Sequence, residues 1–269
     1  MAEDTEDRID WHAAFYDAIR LELEEYLDVL NFEFEHPINT MPLLIDALII
    51  KKNKNTDIKK NIAKVFKSVN IVEYKSPEDS LSVQDFHKAI AYVHLYCATV
   101  TDADINDITL NIVLNRRPRA VLAHIKKVCN YKVTNTGKGI YEVKSHLFPI
   151  QIIETKLLSE NENIWLRDLR NNLTAKEMDN VLQKSNPRLK LPYISSYLEA
   201  LINSNTLIME ELKMQQTQAL EDVLVRMGIA AKFEASAVEK VALKMKKRGV
   251  PLEQIAEDTG LSPNEIVKL

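Results

Sequence analysis

One run of eight residues, Leu43-Leu44-Ile45-Asp46-Ala47-Leu48-Ile49-Ile50, is apolar at every position but one, and it constrains the fold more than any other segment. It is much shorter than the ~20 residues needed to cross a bilayer, so protein must cover it. Unbroken apolarity is the pattern of a central strand buried on both faces. Asp46 adds a second constraint. A buried carboxylate without a partner is costly, so the fold has to bring it a cation, a metal ion or hydrogen-bond donors.

The flanking sequence supplies the other elements of a mixed α/β fold. Phe15, Ile19, Leu23 and Tyr26 form an apolar stripe that predicts a helix from about Ile9 to Leu27. Glu22 shares the phase of that stripe and should face inward. Phe32-Glu33-Phe34-Glu35 alternates as a half-exposed strand does. Ile58, Ile62, Val65, Phe66 and Val69 predict a helix over residues 57–69, and Ile71–Lys75 a strand ended by Ser76-Pro77. Ser82 and Asp85 are spaced as a capping box for a helix to about Ala98. A strand over Ile108–Leu114, a helix over Pro118–Val128, a hairpin over Tyr131–Val143 and a strand over Phe148–Leu158 complete the pattern. Beyond Ser159 only helical patterns remain, broken at Asn186-Pro187 and Leu191-Pro192, with three short helices expected from about Glu234. The expected divisions are a core over residues 1–158, a helical extension over 159–232 and a short helical tail over 233–269.

Several function classes fall away. With only 5 Gly, the chain has neither GxGxxG nor GxxxxGK[ST], which argues against Rossmann and P-loop nucleotide enzymes. The 2 cysteines, Cys97 and Cys129, form no CxxC, so neither a disulfide framework nor a zinc ribbon is expected. His87 and His94 lie seven apart and the other histidines are scattered singly, a poor basis for a histidine metal site. The acidic start MAEDTEDRID is the opposite of a signal peptide. A soluble cytoplasmic protein with no membrane partner is expected.

The chemistry is concentrated around Asp46. In Glu73-Tyr74-Lys75, on the next core strand, period two puts Glu73 and Lys75 on one face and turns Tyr74 away. Two carboxylates, Asp46 and Glu73, together with the Tyr74 carbonyl would suit an oxygen-preferring divalent ion and leave positions for water and phosphate oxygens. Lys75 could orient or deprotonate an attacking water, or hold a phosphate. The competing reading is a buried salt bridge of Asp46 or Glu73 with Lys75, since ion-pair networks imitate active sites. Glu154-Thr155-Lys156 repeats the Glu-x-Lys pattern but follows no apolar strand with a buried Asp, and it reads as structural charge.

The stretches LLIDALIIKK, NIVEYKSPEDSLSVQDFHKAIAYVHLY, FPIQIIETKLLSENENIWLRDL and VALKMKKRGVPLEQIAEDTGLSPNEIVKL resemble, in register and over most of the chain, the recombination-promoting nucleases. That branch of the PD-(D/E)XK nuclease superfamily is also described as transposase-like. The resemblance implies a restriction-endonuclease-like core, with a central mixed β-sheet flanked by helices and an all-helical C-terminal region. It also implies a DNA endonuclease using Mg²⁺ (or Mn²⁺ or Ca²⁺), with Asp46 and Glu73 as metal ligands, Lys75 as the catalytic lysine and Glu22 as the first-helix carboxylate found in many members. Ile45 stands where the superfamily name has proline. Lys88 and Tyr92, one turn apart on the following helix, are candidates for phosphate contacts, and Lys51 and Lys52 of the basic 51–67 segment are further candidates for contact with nucleic acid. The alternative is a DNA-binding or protein-interaction module that kept the fold without catalysis. A transposase of the integrase type is disfavoured because no carboxylate triad of that kind can be assembled in order.

Charge adds a further expectation. Net charge is −4, yet cations cluster in residues 51–67, at Arg116, Arg117 and Arg119, and at Lys244, Lys246, Lys247 and Arg248. Such clusters are either phosphate-facing surfaces or solvated helix faces. The C-terminal PLEQIAEDTGLSPNEIVKL has helix-turn-helix rhythm, but its second helix has little basic equipment for a DNA groove. It is better suited to packing or to homodimer formation.

Overall fold

The computed structural model describes residues 9–37, 44–145, 147–191, 193–215, 218–226 and 230–268. The acidic start through residue 8, Leu43, Pro192 and Leu269 lie outside the described residues. The chain is α/β, with a seven-stranded open sheet between helical layers. In chain order the strands are β1 (Leu30–Pro37), β2 (Leu44–Lys51), β3 (Val69–Lys75), β4 (Ile108–Leu114), β5 (Lys132–Gly137), β6 (Ile140–Lys144) and β7 (Pro149–Glu154). Their spatial order is β1-β2-β3-β4-β7-β6-β5. β3, β4 and β7 are parallel, and the flanking pairs are antiparallel.

Side chains divide by sheet face. Ala47, Ile49, Val72, Tyr74, Val113 and Ile153 pack with α1 (Trp11–Glu22) and the later helices. Leu48, Ile71, Leu110, Ile112, Leu114 and Ile152 pack with α2 (Val83–Thr99) and α3 (Arg119–Lys127). The capping box expected for α2 is present. The Ser82 hydroxyl accepts the Asp85 N–H at 3.0 Å and the Asp85 carboxylate accepts the Ser82 N–H at 2.9 Å.

After β7 the described chain is helical: α4 (Glu160–Arg167), α5 (Ala175–Ser185), α6 (Ser195–Ser204), α7 (Thr206–Met214), α8 (Gln218–Arg226), α9 (Ala230–Lys247), α10 (Leu252–Thr259) and α11 (Pro263–Lys268). Residues of α4–α8 share the apolar cluster of α1 and one sheet face, whereas Ala242, Ile255 and Ile266 form a separate small cluster among α9–α11. The first tail helix is long rather than short, running eighteen residues over Ala230–Lys247. Gly260, in the left-handed region at φ 73°, separates α10 from α11. Among the described residues no helix is long and apolar enough to cross a membrane.

The helix expected over residues 57–69 does not form; a single 3-10 turn, Asn61–Ala63, replaces it. Buried amides on the sheet account for this. Asn70 donates to the carbonyls of Ile49 and Lys67 and accepts the Lys67 N–H, while Gln151 donates to the Ile62 carbonyl at 2.7 Å. Thr109 and Asn111 connect the two amides by hydrogen bonds across the sheet. With backbone groups satisfied by side chains, the segment lies over the sheet without needing a helical ladder. Ile58, Ile62 and Phe66 are buried and Val65 half-buried against the α1 side of the sheet, as their spacing suggested, but in a different backbone conformation. The first helix is also shorter than expected. It stops at Glu22, and a 3-10 turn covers Glu24–Tyr26.

Candidate active site

Asp46 sits where β2 leaves its partner. Pairing of β2 with β3 ends at Ala47↔Val72, one residue short of Asp46. Alternate residues of a regular strand share a face, yet Ile45 packs on the α2 side while Ala47 and Ile49 pack on the α1 side. The strand therefore turns about its axis at Asp46. Across β1, the residue opposite is Glu35, which adopts a left-handed φ of 48°. Such a conformation costs of order 1–3 kcal/mol in a non-glycine residue and often accompanies functional sites.

The turn aims the Asp46 carboxylate at β3, where Oδ2 accepts the Tyr74 N–H at 2.7 Å. A strand residue presents its N–H and C=O toward the same neighbour, so the Tyr74 carbonyl lies on the edge facing Asp46. The Tyr74 ring turns to the other layer, as expected, and stacks on Phe15 at 4.2 Å. Glu73 and Lys75 share the α2 side of β3. Lys75 Nζ lies 3.3 Å from Glu73 Oε1 and 3.3 Å from Asp85 Oδ1. Asp85 thus joins two tasks: one oxygen caps α2 and the other holds the lysine.

The electrostatics describe a cluster short of positive charge. Burial, then repulsion from Asp46, pushes Glu73 up from 4.5 to about 7 despite Lys75. Burial also raises Asp46, against the Tyr74 N–H and the charges of His12, Lys75 and Lys88. Burial works against a charged Lys75, but Glu73 and Asp85 outweigh it and raise its pKa. Burial would likewise raise Asp85, yet its bonds to Ser82 and the charge of Lys75 hold it low. Two buried carboxylates, the charge of Asp46 disfavouring that of Glu73, with a carbonyl on the same edge, fit a hard divalent cation by donor chemistry. Among the described residues no group of three or more His, Cys, Asp or Glu side chains is arranged for a metal. The set here would need the carbonyl and water to complete it.

The remaining candidates separate by position. Lys88 is exposed on α2 and its charge reaches both Asp46 and Glu73. Tyr92 is buried in the core, and the Lys88 ammonium lies 5.3 Å from its ring centre, so Tyr92 supports Lys88 rather than meeting a phosphate itself. Lys51 and Lys52 do not reach the site. Lys51 is five residues beyond Asp46 along β2, about 16 Å away, and their ammonium groups bond the carbonyls of Thr56 and Leu27.

Glu22 lies away from the Asp46 cluster, contrary to the expectation for it. It does face inward, but at the wrong end of α1, ten residues and about 15 Å of helix beyond His12. Its fully buried carboxylate pairs with Lys60 at 2.7 Å and accepts the Leu166 N–H at 3.0 Å. It therefore ties α1 to the 57–69 segment and α4. The α1 residue near the site is His12, whose Nε2 lies 3.8 Å from Asp46 Oδ1 and whose ring meets Tyr74 edge-on. His12 lies three residues before Phe15, on the same helical phase, so the stripe that nominated Glu22 contained it too. Asp85 was visible only as a cap.

At the second Glu-x-Lys, Glu154 is buried and accepts the Tyr141 hydroxyl at 3.0 Å. The strand ends there, and a 3-10 turn carries Lys156 away exposed. His87 and His124, far apart in sequence, meet across α2 and α3 with their Nε2 atoms 3.0 Å apart. That is a hydrogen bond between rings, not a full set of metal ligands.

Comparison of the chain with protein-family models, curated proteins and solved structures finds no match. The geometry of the site and the sequence resemblance are the grounds for a function.

Proposed function

We propose that the chain is a metal-dependent endonuclease that hydrolyses DNA phosphodiesters on a restriction-endonuclease-like core, of the recombination-promoting nuclease branch and acting in the cytoplasm. The observation that carries this reading is the convergence of Asp46 and Glu73, from neighbouring strands, beside Lys75. The register of β2 on β3, continued one residue past Ala47↔Val72, sets Asp46 opposite Glu73, and the irregularity at Asp46 lets its carboxylate also take the Tyr74 N–H. Asp46, Glu73 and the Tyr74 carbonyl would hold Mg²⁺ or a similar ion. Such an ion polarises a phosphoryl oxygen and lowers the pKa of water.

The residues of the chain do the remaining work. The raised pKa of Lys75 favours its cationic form, which supports a role in holding a non-bridging phosphate oxygen over one as general base. Asp85 orients the ammonium, and Lys88 adds positive charge on the solvent side. Exposed Val241, Leu252 and Val267 on α9–α11 are compatible with a homodimer through that region. A second reading, a binding module without catalysis, is favoured by one observation: the Glu73–Lys75–Asp85 ion pairs satisfy the lysine without any substrate.

Nicking of supercoiled plasmid by the purified chain, with Mg²⁺, Ca²⁺ or EDTA, separates the two. Metal-dependent nicking should fall by at least about 100-fold in both Asp46→Ala and Lys75→Ala. A folded protein that nicks under no metal would favour the binding module. Nicking that survives both substitutions would place the centre elsewhere, with Glu154 and Lys156 tested next.

A further inference from the structure

We propose that Arg116, Arg117 and Arg119, continued by Lys126 and Lys127, form the surface that holds the sugar-phosphate backbone of duplex DNA beside the Asp46–Glu73–Lys75 cluster. This deepens the nuclease reading by naming where its substrate lies, and replaces Lys51 and Lys52, which point away from the cluster.

Topology makes the placement. β3 and β4 are parallel and Lys75 pairs with Leu114, so Arg116 follows two residues beyond the strand neighbour of the lysine. Strand spacing and rise put its backbone within about 10 Å of Lys75, a span of about three phosphates measured along one DNA strand at 3.4 Å each. This edge is where parallel strands end, the usual ligand-binding end of open α/β sheets. α3 then packs on the same sheet face as α2, which carries Lys88.

Charge on this surface is uncompensated. Between Asp107 and Glu142 the chain has no carboxylate and seven Lys or Arg, in a protein of net charge −4. The five cations of the proposal are exposed, and none has an ion pair among the described residues. Arg167, Arg170 and Arg188, on the other face, are each paired with carboxylates. Three arginines also crowd the start of α3, whose first turn has no acid and whose N-cap makes no side-chain bond. Cations at that positive end work against helix stability, so folding does not account for them, whereas a bound anion does.

Shape agrees with charge. Arg117, Arg119, Leu122, Ala123, Lys126 and Lys127 line an open groove of about 400 Å³. The Arg117 guanidinium lies 5.5 Å from the centre of the Tyr141 ring, which holds it in place and leaves its N–H groups free for phosphate oxygens.

The test is binding of the full chain to a labelled 30-base-pair duplex in EDTA, which uncouples binding from cleavage, followed by anisotropy over about 50 to 200 mM salt. Each lost phosphate contact should reduce the slope of log affinity against log salt by about 0.9. Arg116→Gln/Arg117→Gln/Arg119→Gln should therefore lower it by about 2.7, so that its affinity deficit shrinks about 40-fold across that range. Arg116→Gln/Arg119→Gln, which spares the Tyr141 contact and guards against misfolding, should lower it by about 1.8. Lys176→Gln/Lys190→Gln, exposed cations of the helical layer, should leave it unchanged. An unchanged slope in both arginine variants overturns the proposal. So does failure of the unmodified chain to bind the duplex at low salt, and flotation with phosphatidylserine vesicles would then show whether the arginines serve an anionic membrane instead. Arginine-dependent DNA binding by a chain that nicks under no metal would sustain this surface while refuting the endonuclease reading.

Discussion

Glu73→Gln separates the cost of the site from its use. Glu73 has a side chain only 6% exposed and a pKa pushed up to about 7 from 4.5. At about 1.4 kcal/mol per pH unit, keeping it ionised in the folded state costs about 3 kcal/mol. The sign follows from proton binding. Between 4.5 and about 7 the folded state holds the Glu73 proton more tightly than the unfolded state, so stability falls as pH rises through this window and levels off above it. Glutamine resembles the protonated acid at every pH. The substitution does not orphan Lys75, which keeps Asp85 at 3.3 Å. Without metal, Glu73→Gln should therefore gain on the unmodified chain by about 2.5 kcal/mol between pH 5 and pH 8. Urea unfolding at both pH values, in EDTA, measures this. In the unmodified chain, Mg²⁺ should raise the unfolding midpoint at pH 8 and release about half a proton per ion at pH 7. Glu73→Gln should show neither effect. A stability difference independent of pH would refute the argument that burial and Asp46 disfavour the Glu73 charge. The predicted pH trend with no Mg²⁺ response in the unmodified chain would leave a buried acid pair and remove the metal.

Three further outcomes follow from particular residues. Asp168, buried between Arg167 and Arg170, is raised to about 6 from 3.8 by burial, so Asp168→Asn should gain on the unmodified chain by about 2 kcal/mol between pH 4.5 and 7.5 in the same unfolding assay; a loss with rising pH would contradict it. Asp85→Ala removes both the α2 cap and a partner of Lys75, and should cost about 1 kcal/mol of stability and lower nicking further than that loss explains. Asp85→Asn keeps a capping oxygen and should recover the stability but not all of the activity. Lys60→Met leaves the Glu22 carboxylate buried without its cation and should destabilise by about 3 kcal/mol or more, with nicking per folded molecule unchanged; a specific loss of nicking would return Glu22 to the active site.

The strands were the most legible part of the chain because their signal is local. Leu44–Lys51 and Ile108–Leu114 are apolar almost throughout, and only a central strand uses such runs in so short a length. The Ser82–Asp85 cap was equally plain, since both of its partners lie within one turn. The segment over residues 57–69 misled because its apolar spacing reports burial, not backbone conformation. Asn70 and Gln151, the latter 89 residues from the carbonyl it satisfies, decided the conformation.

The site divides along the same line. Asp46, Glu73 and Lys75 stood out because a charge within an apolar strand needs a partner wherever the strand lies. Their mutual distance, and the turn of β2 that brings Asp46 to the Tyr74 N–H, exist only once β2 and β3 pair. Glu22 and His12 share one helical phase, and phase does not say which end of a helix reaches a site. That is set by how α1 lies across the sheet. Lys51, Lys52 and Arg116 likewise look alike as cations in a sequence. Strand direction puts the first two at the far end of β2 and the third beside Lys75, because antiparallel and parallel neighbours send their chain ends to opposite edges. Residue chemistry and short-range spacing determined which groups needed company; the pairing of distant strands decided which company they found.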